Sequence, residues 1–381
     1  MAEPGRGLIV RPLVADLGSD YRGGQHQALL LLQGLAARGH SPSLITLRDS
    51  LLAERAERAG ISVYGVERRC SRPAAALLIR RLLRGPMVDV VHANEPHALT
   101  AAWLAGAHRR VPLIVSRRIA IPLSSGSISR ARYRAASRIV AISHFVRESV
   151  LASGLPGEAV EVIYDGVELP AQFSDQERRH ARARHAIPED RICLGNVAAL
   201  VPEKGQALLI RALADLRAKF PQCMALLAGE GPELGNLQDL ARRLRLGDTV
   251  RFSGFVPDVE SVHAATDVFV FPSHEEPLGS ALLTAMGYGL PVVAVGRGGI
   301  PEVVQHGSNG LLIPGLDPAA LASEIARLLA DHTRAERLGQ AARGTIASGF
   351  SAGKMVGATL ELYQRLDAVP GPFRSSSPAP V

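Results

Sequence analysis

Lysine is nearly missing from this chain: Lys204, Lys219 and Lys354 are its only three, and arginine supplies the rest of its 43 basic residues. A site that keeps lysine in such a chain draws notice, because a lone ammonium serves well as a point charge for phosphate. Aromatic residues make up only 4% of the sequence. That leaves too few stacking platforms for single-stranded nucleic acid, and no nucleic-acid module is recognisable, so nucleic acid is not an expected partner. Cys70, Cys193 and Cys223 are scattered and match no disulfide or metal spacing. They point to a reducing, cytoplasmic setting. No apolar run reaches the roughly 18 residues of a membrane span. The N-terminal MAEPGRGLIVRPLVADLG has no small-residue cleavage site and reads as a first strand rather than a signal peptide.

What is present describes a soluble globular protein, with 47% hydrophobic and 21% charged residues. At 381 residues the chain is too long for one ordinary core, which implies two domains. Its net charge of +7 is unevenly placed. Residues 1–172 hold 22 arginines, no lysine and 14 acidic residues, whereas the remainder holds 21 basic and 22 acidic residues. A basic half attracts anions such as phosphorylated glycans or anionic lipid head groups, so peripheral contact with an anionic membrane is an expectation. Plain solubility is the competing explanation.

Apolar runs of strand length alternate with amphipathic helical stretches. GLIVRPLVADL, SPSLITL, ISVYGV, DVVHA, VPLIVS, RIVAIS and VEVIYDG read as buried parallel strands, and the rhythm breaks over residues 168–188. It restarts with ICLGNVAAL, CMALLAG, VRFSGF, DVFVFPS, PVVAV and GLLIP. Continuous Val/Ile/Leu runs suit strands covered on both faces. The alternation predicts an α/β protein of two doubly wound parallel-sheet domains facing a cleft, with ligands at the carboxyl ends of the strands. The expected division is 1–172, then 173–350, with a helical segment 351–369 packing back on the first domain. The Pro/Ser-rich 370–381 reads as a disordered tail.

Polar residues and glycines gather where strands give way to helices. Gly23-Gly24 opens the first helix, and adjacent glycines let backbone N–H groups approach a phosphate. Alone they describe a tight turn equally well. Lys204 sits in PEKG between a strand and a helix. In SHEEPLGSALLTAMGYGLPVVAV, Glu276 stands beside a helix start at Leu278, Gly279 and Ser280. That start suits a pyrophosphate, while the carboxylate suits sugar hydroxyls, which are donors. A simple dipole-capping role for Glu276 leaves Pro277 and Gly279 without a purpose. GRGGIPEVV adds Gly298, Gly299 and Glu302. In the first half, His92, Glu95 and His97 follow one strand, and Arg117 and Arg118 end another.

In order and spacing, these motifs resemble the family 4 glycosyltransferases of the GT-B fold, from about Gly7 to Leu366. The series is Gly23-Gly24, DVVHA, RIVAISHFV, VIYDGVE, LVPEKG, LLAGEGPE, VRFSGFV, VFVFPSHEEPLGSALLTAMGYGLPVVA and GGIPEVV. SRR before IAIPL is similar to a bacterial subgroup linked with lipopolysaccharide-core and surface-glycan assembly. The resemblance implies a nucleotide-sugar donor as substrate, with no cofactor, and a glycan or lipid-linked acceptor held by the N-terminal domain. It implies retention of anomeric configuration. Catalytic positions would be Glu276, Lys204, Arg118 and His97. Donor contacts would come from Gly23, Gly24, Lys204, Gly254, Phe255, Val256, Glu276, Leu278, Gly279, Ser280, Thr284 and Glu302.

The chain leaves the family pattern at two places. The second of the family's paired glutamates, which accepts from the nucleotide ribose, falls at Thr284, and a common basic residue ahead of the lysine falls at Ala199. Replacing a charge-assisted bond by a neutral one costs about 1–2 kcal/mol, which weakens a donor site without abolishing it. The usual asparagine after VIY is Asp165, a conservative change at a turn. No Asp-x-Asp occurs, so a metal clamp on the diphosphate is not expected and neither is a metal site. Two other readings stay open: a nucleotide-sugar epimerase on the same fold, and a non-catalytic partner with a degenerate donor site.

Overall fold

The computed structural model describes residues 9–123 and 126–367, apart from the side chains of Ser127 and Asp367. The tail expected at 370–381 lies outside the described residues. The chain forms two compact units. Unit 1 runs to Gly166 and resumes at Ala352, and unit 2 is Val167–Ser351. The boundary thus falls ahead of residue 172. The polar stretch 168–188, where the strand rhythm breaks, belongs to unit 2, and Arg178 and Arg182 of its helix Asp175–Arg184 both pair with Asp267. These ion pairs supplement a small apolar cluster of Ala181 with Val262, Ala264 and Ala265, so the helix needs few apolar residues.

Unit 1 carries seven parallel strands: β1 (Pro12–Ala15), β2 (Ser43–Leu47), β3 (Ser62–Val66), β4 (Val90–Ala93), β5 (Leu113–Arg117), β6 (Arg138–Ala141) and β7 (Val160–Val162). Their order is β3-β2-β1-β4-β5-β6-β7. Unit 2 carries six: β8 (Ile192–Val197), β9 (Cys223–Ala228), β10 (Val250–Gly254), β11 (Val268–Phe271), β12 (Val292–Val295) and β13 (Leu311–Ile313), in the order β10-β9-β8-β11-β12-β13. Each expected apolar run supplies one strand. Central strands such as β11 and β12 are buried along their whole length, as helices on both faces require.

Strand order reverses direction between β1 and β4 in unit 1 and between β8 and β11 in unit 2. At such a switch point the flanking crossovers lie on opposite faces, leaving a crevice beyond the carboxyl ends of the strands. The helix Ala352–Asp367 packs in unit 1 on the helix Gly23–Ala36. A methyl group at Gly34 would stand 2.6 Å from Val356, so the two helices approach closely. The same helix brings Tyr363 to His92 on β4.

Candidate functional site

Unit 2 places Lys204 in the loop after β8 and Glu276 in the loop after β11, on the two sides of its switch point. Their side chains form an ion pair, Lys204 Nζ to Glu276 Oε1. Glu276 is 7% exposed, so its carboxylate is held inside the loop cluster and not in bulk water.

Backbone packing fixes this pair. The His274 N–H donates to the Glu203 carbonyl at 2.8 Å, tying the lysine loop to the glutamate loop. Gly205 is left-handed at φ +69, and a Cβ there would lie 2.0 Å from the Pro272 carbonyl oxygen. Only glycine fits on both counts. On the other flank, the Gly299 N–H donates to the Glu276 carbonyl at 2.7 Å, and a Cβ on Gly299 would lie 2.1 Å from the Pro277 oxygen. Gly298 and Gly299 are therefore explained by contact with the glutamate loop.

The helix Ser280–Gly287 begins at Gly279, whose φ is +87 and which has no side chain to cap the first turn. The first N–H groups of a helix lack intrahelical partners and carry partial positive charge, which favours an anion. Leu278 is buried and Ser280 exposed. The Thr284 hydroxyl donates to the Ser280 carbonyl at 3.0 Å, so what remains to it is acceptor capacity. Glu302 lies in the short helix Ile300–Val303, right after the glycine pair. Gly254, Phe255 and Val256 end β10 at the sheet edge, with β9 between them and the Lys204 strand. The Phe255 N–H donates to Glu230 at 3.3 Å, and Phe255 is 68% exposed.

In unit 1, the ends of β1, β4, β5 and β7 converge on Arg118. Its Nε donates to both oxygens of Asp165 at 3.1 and 3.2 Å. Its Nη1 donates to the Asn94 side-chain oxygen at 2.8 Å and to the Asn94 carbonyl at 3.1 Å. Asn94 in turn donates to Asp16 at 2.6 Å and to the Gly24 carbonyl at 2.9 Å. The glycine loop and the arginine are thus joined through one amide. Burial pushes the Asp165 carboxyl up, with the Arg118 charge opposing. Burial also raises Glu95, countered by the His97 N–H and reinforced by the Asp16 charge.

Two histidines of DVVHANEPH do different work. His92 is buried, with Nδ1 on the Tyr363 hydroxyl at 2.6 Å and Nε2 on Ser116 at 2.8 Å. Burial, aided by the Arg118 charge, lowers its pKa to about 3, so the ring stays neutral. With both nitrogens engaged it is a structural link. His97 is exposed in the first turn of the helix Pro96–Leu104, and its backbone N–H is capped by Glu95 at 2.5 Å. Among the described residues its ring makes no hydrogen bond or ion pair with Arg118. Sequence reasoning passed over Asn94 and Asp16, and read Asp165 as a mere turn residue. The available signal was a run of polar residues, at 94 and 165 as at 118, each just past a strand end.

Comparison with known proteins agrees with this geometry. Residues 21–170 match the family described as Glycosyltransferase Family 4, and residues 177–345 match Glycosyl transferases group 1. The chain is 30% identical to a GDP-mannose-dependent alpha-(1-6)-phosphatidylinositol monomannoside mannosyltransferase of Mycolicibacterium smegmatis, over 84% of this chain and 90% of that one. It is likewise 30% identical to a D-inositol 3-phosphate glycosyltransferase of Streptomyces bingchenggensis, over 72% of this chain and 66% of that one. Among solved structures, a glycosyltransferase from Rickettsia africae superposes with a TM-score of 0.84 at 19% identity, covering 95% of this chain and 100% of the other. Anabaena HepE in complex with UDP and glucose gives 0.82 at 24% identity, covering 94% and 100%.

Proposed function

The chain belongs to the family 4 glycosyltransferases, with the GT-B fold, and from that premise we propose a retaining, metal-independent enzyme that acts on a nucleoside diphosphate sugar. The acceptor is a hydroxyl of a glycan or lipid-linked molecule, in lipopolysaccharide or surface-polysaccharide assembly. The observation that carries the reading is the Lys204–Glu276 pair at the unit 2 switch point, beside an uncapped helix start.

In the reaction, the acceptor oxygen bonds to the anomeric carbon on the face from which the diphosphate departs, the bond from that carbon to the diphosphate oxygen breaks, and the acceptor's hydroxyl proton passes to that diphosphate oxygen. The diphosphate leaves with the electron pair. Charge growing on it is met by Lys204 and by the N–H groups of the helix start, held in place before reaction begins. Glu276 accepts from hydroxyls of the transferred sugar. Metal independence is supported by these cationic groups together with the absence of any Asp-x-Asp. Retention follows from the resemblance, and the anomeric proton coupling of the product checks it.

The M. smegmatis relative is named for GDP-mannose and a phosphatidylinositol monomannoside, which supports a nucleotide-sugar donor and a lipid-borne acceptor here. A phosphoinositide acceptor is therefore the second reading, beside lipopolysaccharide. The place of action we propose is the cytoplasmic face of a membrane. Among the described residues no helix is long and apolar enough to cross one. The deciding experiment is a panel of nucleotide sugars, with and without chelator, scored for nucleoside diphosphate release. Release from one donor, unchanged by chelator, is expected. If no nucleotide binds at millimolar concentration, the non-catalytic reading takes its place.

A further inference from the structure

The N-terminal half holds two acid-free, arginine-rich runs, residues 96–147, where Arg117, Arg118, Arg132 and Arg138 are hydrogen-bonded, and residues 68–88. Residues 68–88 contain six arginines and no acidic residue. Arg68, Arg69, Arg72, Arg80, Arg81 and Arg84 are all exposed. None of their side chains has an ion pair or hydrogen bond among the described residues. Some exposed arginines elsewhere are paired, Arg242 with Asp239, Arg327 with Glu324 and Arg365 with Glu161. Others, such as Arg179, Arg211 and Arg243, stand alone on unit 2 among the described residues, without exposed apolar neighbours on a shared face.

The segment is organised by the helix Ser71–Leu82. Ala75, Ala76 and Ile79 are buried, and the helix packs on the helix Pro96–Leu104. The opposite face carries Leu77 with Arg80, Arg81 and Arg84, at the i, i+3, i+4, i+7 spacing that places side chains on one side of a helix. Leu83 keeps the chain helical past the last assigned turn, so Arg84 stays in register. Leu77 is 71% exposed, and Met87, in the turn that follows, is 65% exposed. Unpaired arginines bordering exposed apolar side chains are the combination that an anionic lipid surface satisfies.

We propose that this face docks on an anionic lipid bilayer. The arginines meet lipid phosphates, and Leu77 and Met87 enter the acyl boundary. Arginine suits this task, because its weakly hydrated fork binds phosphate with two N–H groups. A nucleic-acid phosphate would satisfy the charges but gives no use for two exposed apolar side chains between them. The helix would then lie along the surface, with its buried face still on unit 1. The inference deepens the reading of a lipid-borne acceptor at a membrane, and rests on it only for its biological sense. Vesicle binding is scored without turnover, so the two can fail separately.

The test is flotation of the full chain with vesicles of phosphatidylcholine alone, or of phosphatidylcholine with about a third phosphatidylglycerol, at low and high salt. Binding to the anionic vesicles only, weakened by salt, is expected. Each arginine contributes about a fivefold change in partition, so Arg80→Gln/Arg81→Gln/Arg84→Gln should fall by on the order of 100-fold. Leu77→Gln/Met87→Gln should also lower vesicle binding. The exposed unit 2 triple Arg179→Gln/Arg211→Gln/Arg243→Gln should leave it unchanged, and circular dichroism confirms that each variant is folded. Equal flotation with neutral vesicles would overturn the proposal, as would binding by the first triple at the wild-type level. Salt-sensitive binding indifferent to Leu77 and Met87 would mark a general polyanion surface, and would overturn it too.

Discussion

Lys204 and Glu276 meet across the switch point of unit 2, 72 residues apart in sequence, and the glutamate is almost wholly buried. Each satisfies the other's charge. Under the proposed function, a diphosphate competes for the ammonium as the sugar hydroxyls arrive at the carboxylate.

Lys204→Ala should lower turnover by a factor on the order of 10² to 10³, the usual loss for a removed leaving-group stabiliser. It also strands a buried carboxylate, at a cost of about 1–3 kcal/mol, below that of a fully buried pair because Lys204 is partly exposed. Glu276→Gln in the Lys204→Ala background should recover part of the stability and none of the rate. Steady-state kinetics with urea unfolding separates the two effects. Wild-type turnover in Lys204→Ala would remove the lysine from the diphosphate site.

Thr284 has its proton engaged by the Ser280 carbonyl and retains acceptor capacity only. Thr284→Glu supplies a charged acceptor at that place. Donor nucleotide affinity, measured by titration calorimetry, should rise about fivefold to tenfold. An unchanged affinity would mean that the ribose does not reach this residue.

Gly205→Ala and Gly299→Ala each drive a methyl group into a carbonyl oxygen about 2 Å away. Each should cost more than ~3 kcal/mol, since the obstacle is backbone that holds the site loops together. Gly235→Ala, in the helix Leu234–Arg243 with nothing within 4 Å, is the contrast. It should gain about 0.5–1 kcal/mol. Thermal and urea denaturation read all three.

His263 is buried, has no hydrogen-bond partner for either ring nitrogen among the described residues, and lies against Phe269 and Tyr288. Burial lowers its pKa to about 4. The folded state keeps the ring neutral while the unfolded chain protonates it below about 6.5, so stability is lost as pH falls from about 6.5 to about 4. The slope is about 1.4 kcal/mol per pH unit from this residue. His263→Phe should be close to neutral at pH near 7 and should flatten the acid limb. Urea midpoints at neutral and acid pH test this, and an undiminished slope would sink it. His92, lowered to about 3, adds a second term of the same sign.

Much of the architecture was legible because parallel strands covered on both faces must be continuously apolar. The runs DVVHA, DVFVFPS and PVVAV could be read directly as strands, and the alternation with helices gave the class. Lys204 and Glu276 were legible too, one as a rare lysine and the other as a carboxylate crowding a helix start. The unit 1 cluster was not. Asp16, Asn94, Arg118 and Asp165 carry no local pattern, and only the register of β1, β4, β5 and β7 brings them within hydrogen-bond reach. Nor does any local pattern show that the helix Asp175–Arg184 is tied to Asp267, which is distant in sequence.

The sequence by itself determined where strands and helices would form and which loops would carry charge, since periodicity and glycine placement are local properties. Tertiary structure decided which charges meet. Lys204 became the partner of Glu276, Arg118 the partner of Asn94 and Asp165, and His92 a neutral link to Tyr363. An ion pair or a hydrogen bond depends on distances of a few ångströms, and across a sheet those are set by strand order and register and not by neighbours in the chain.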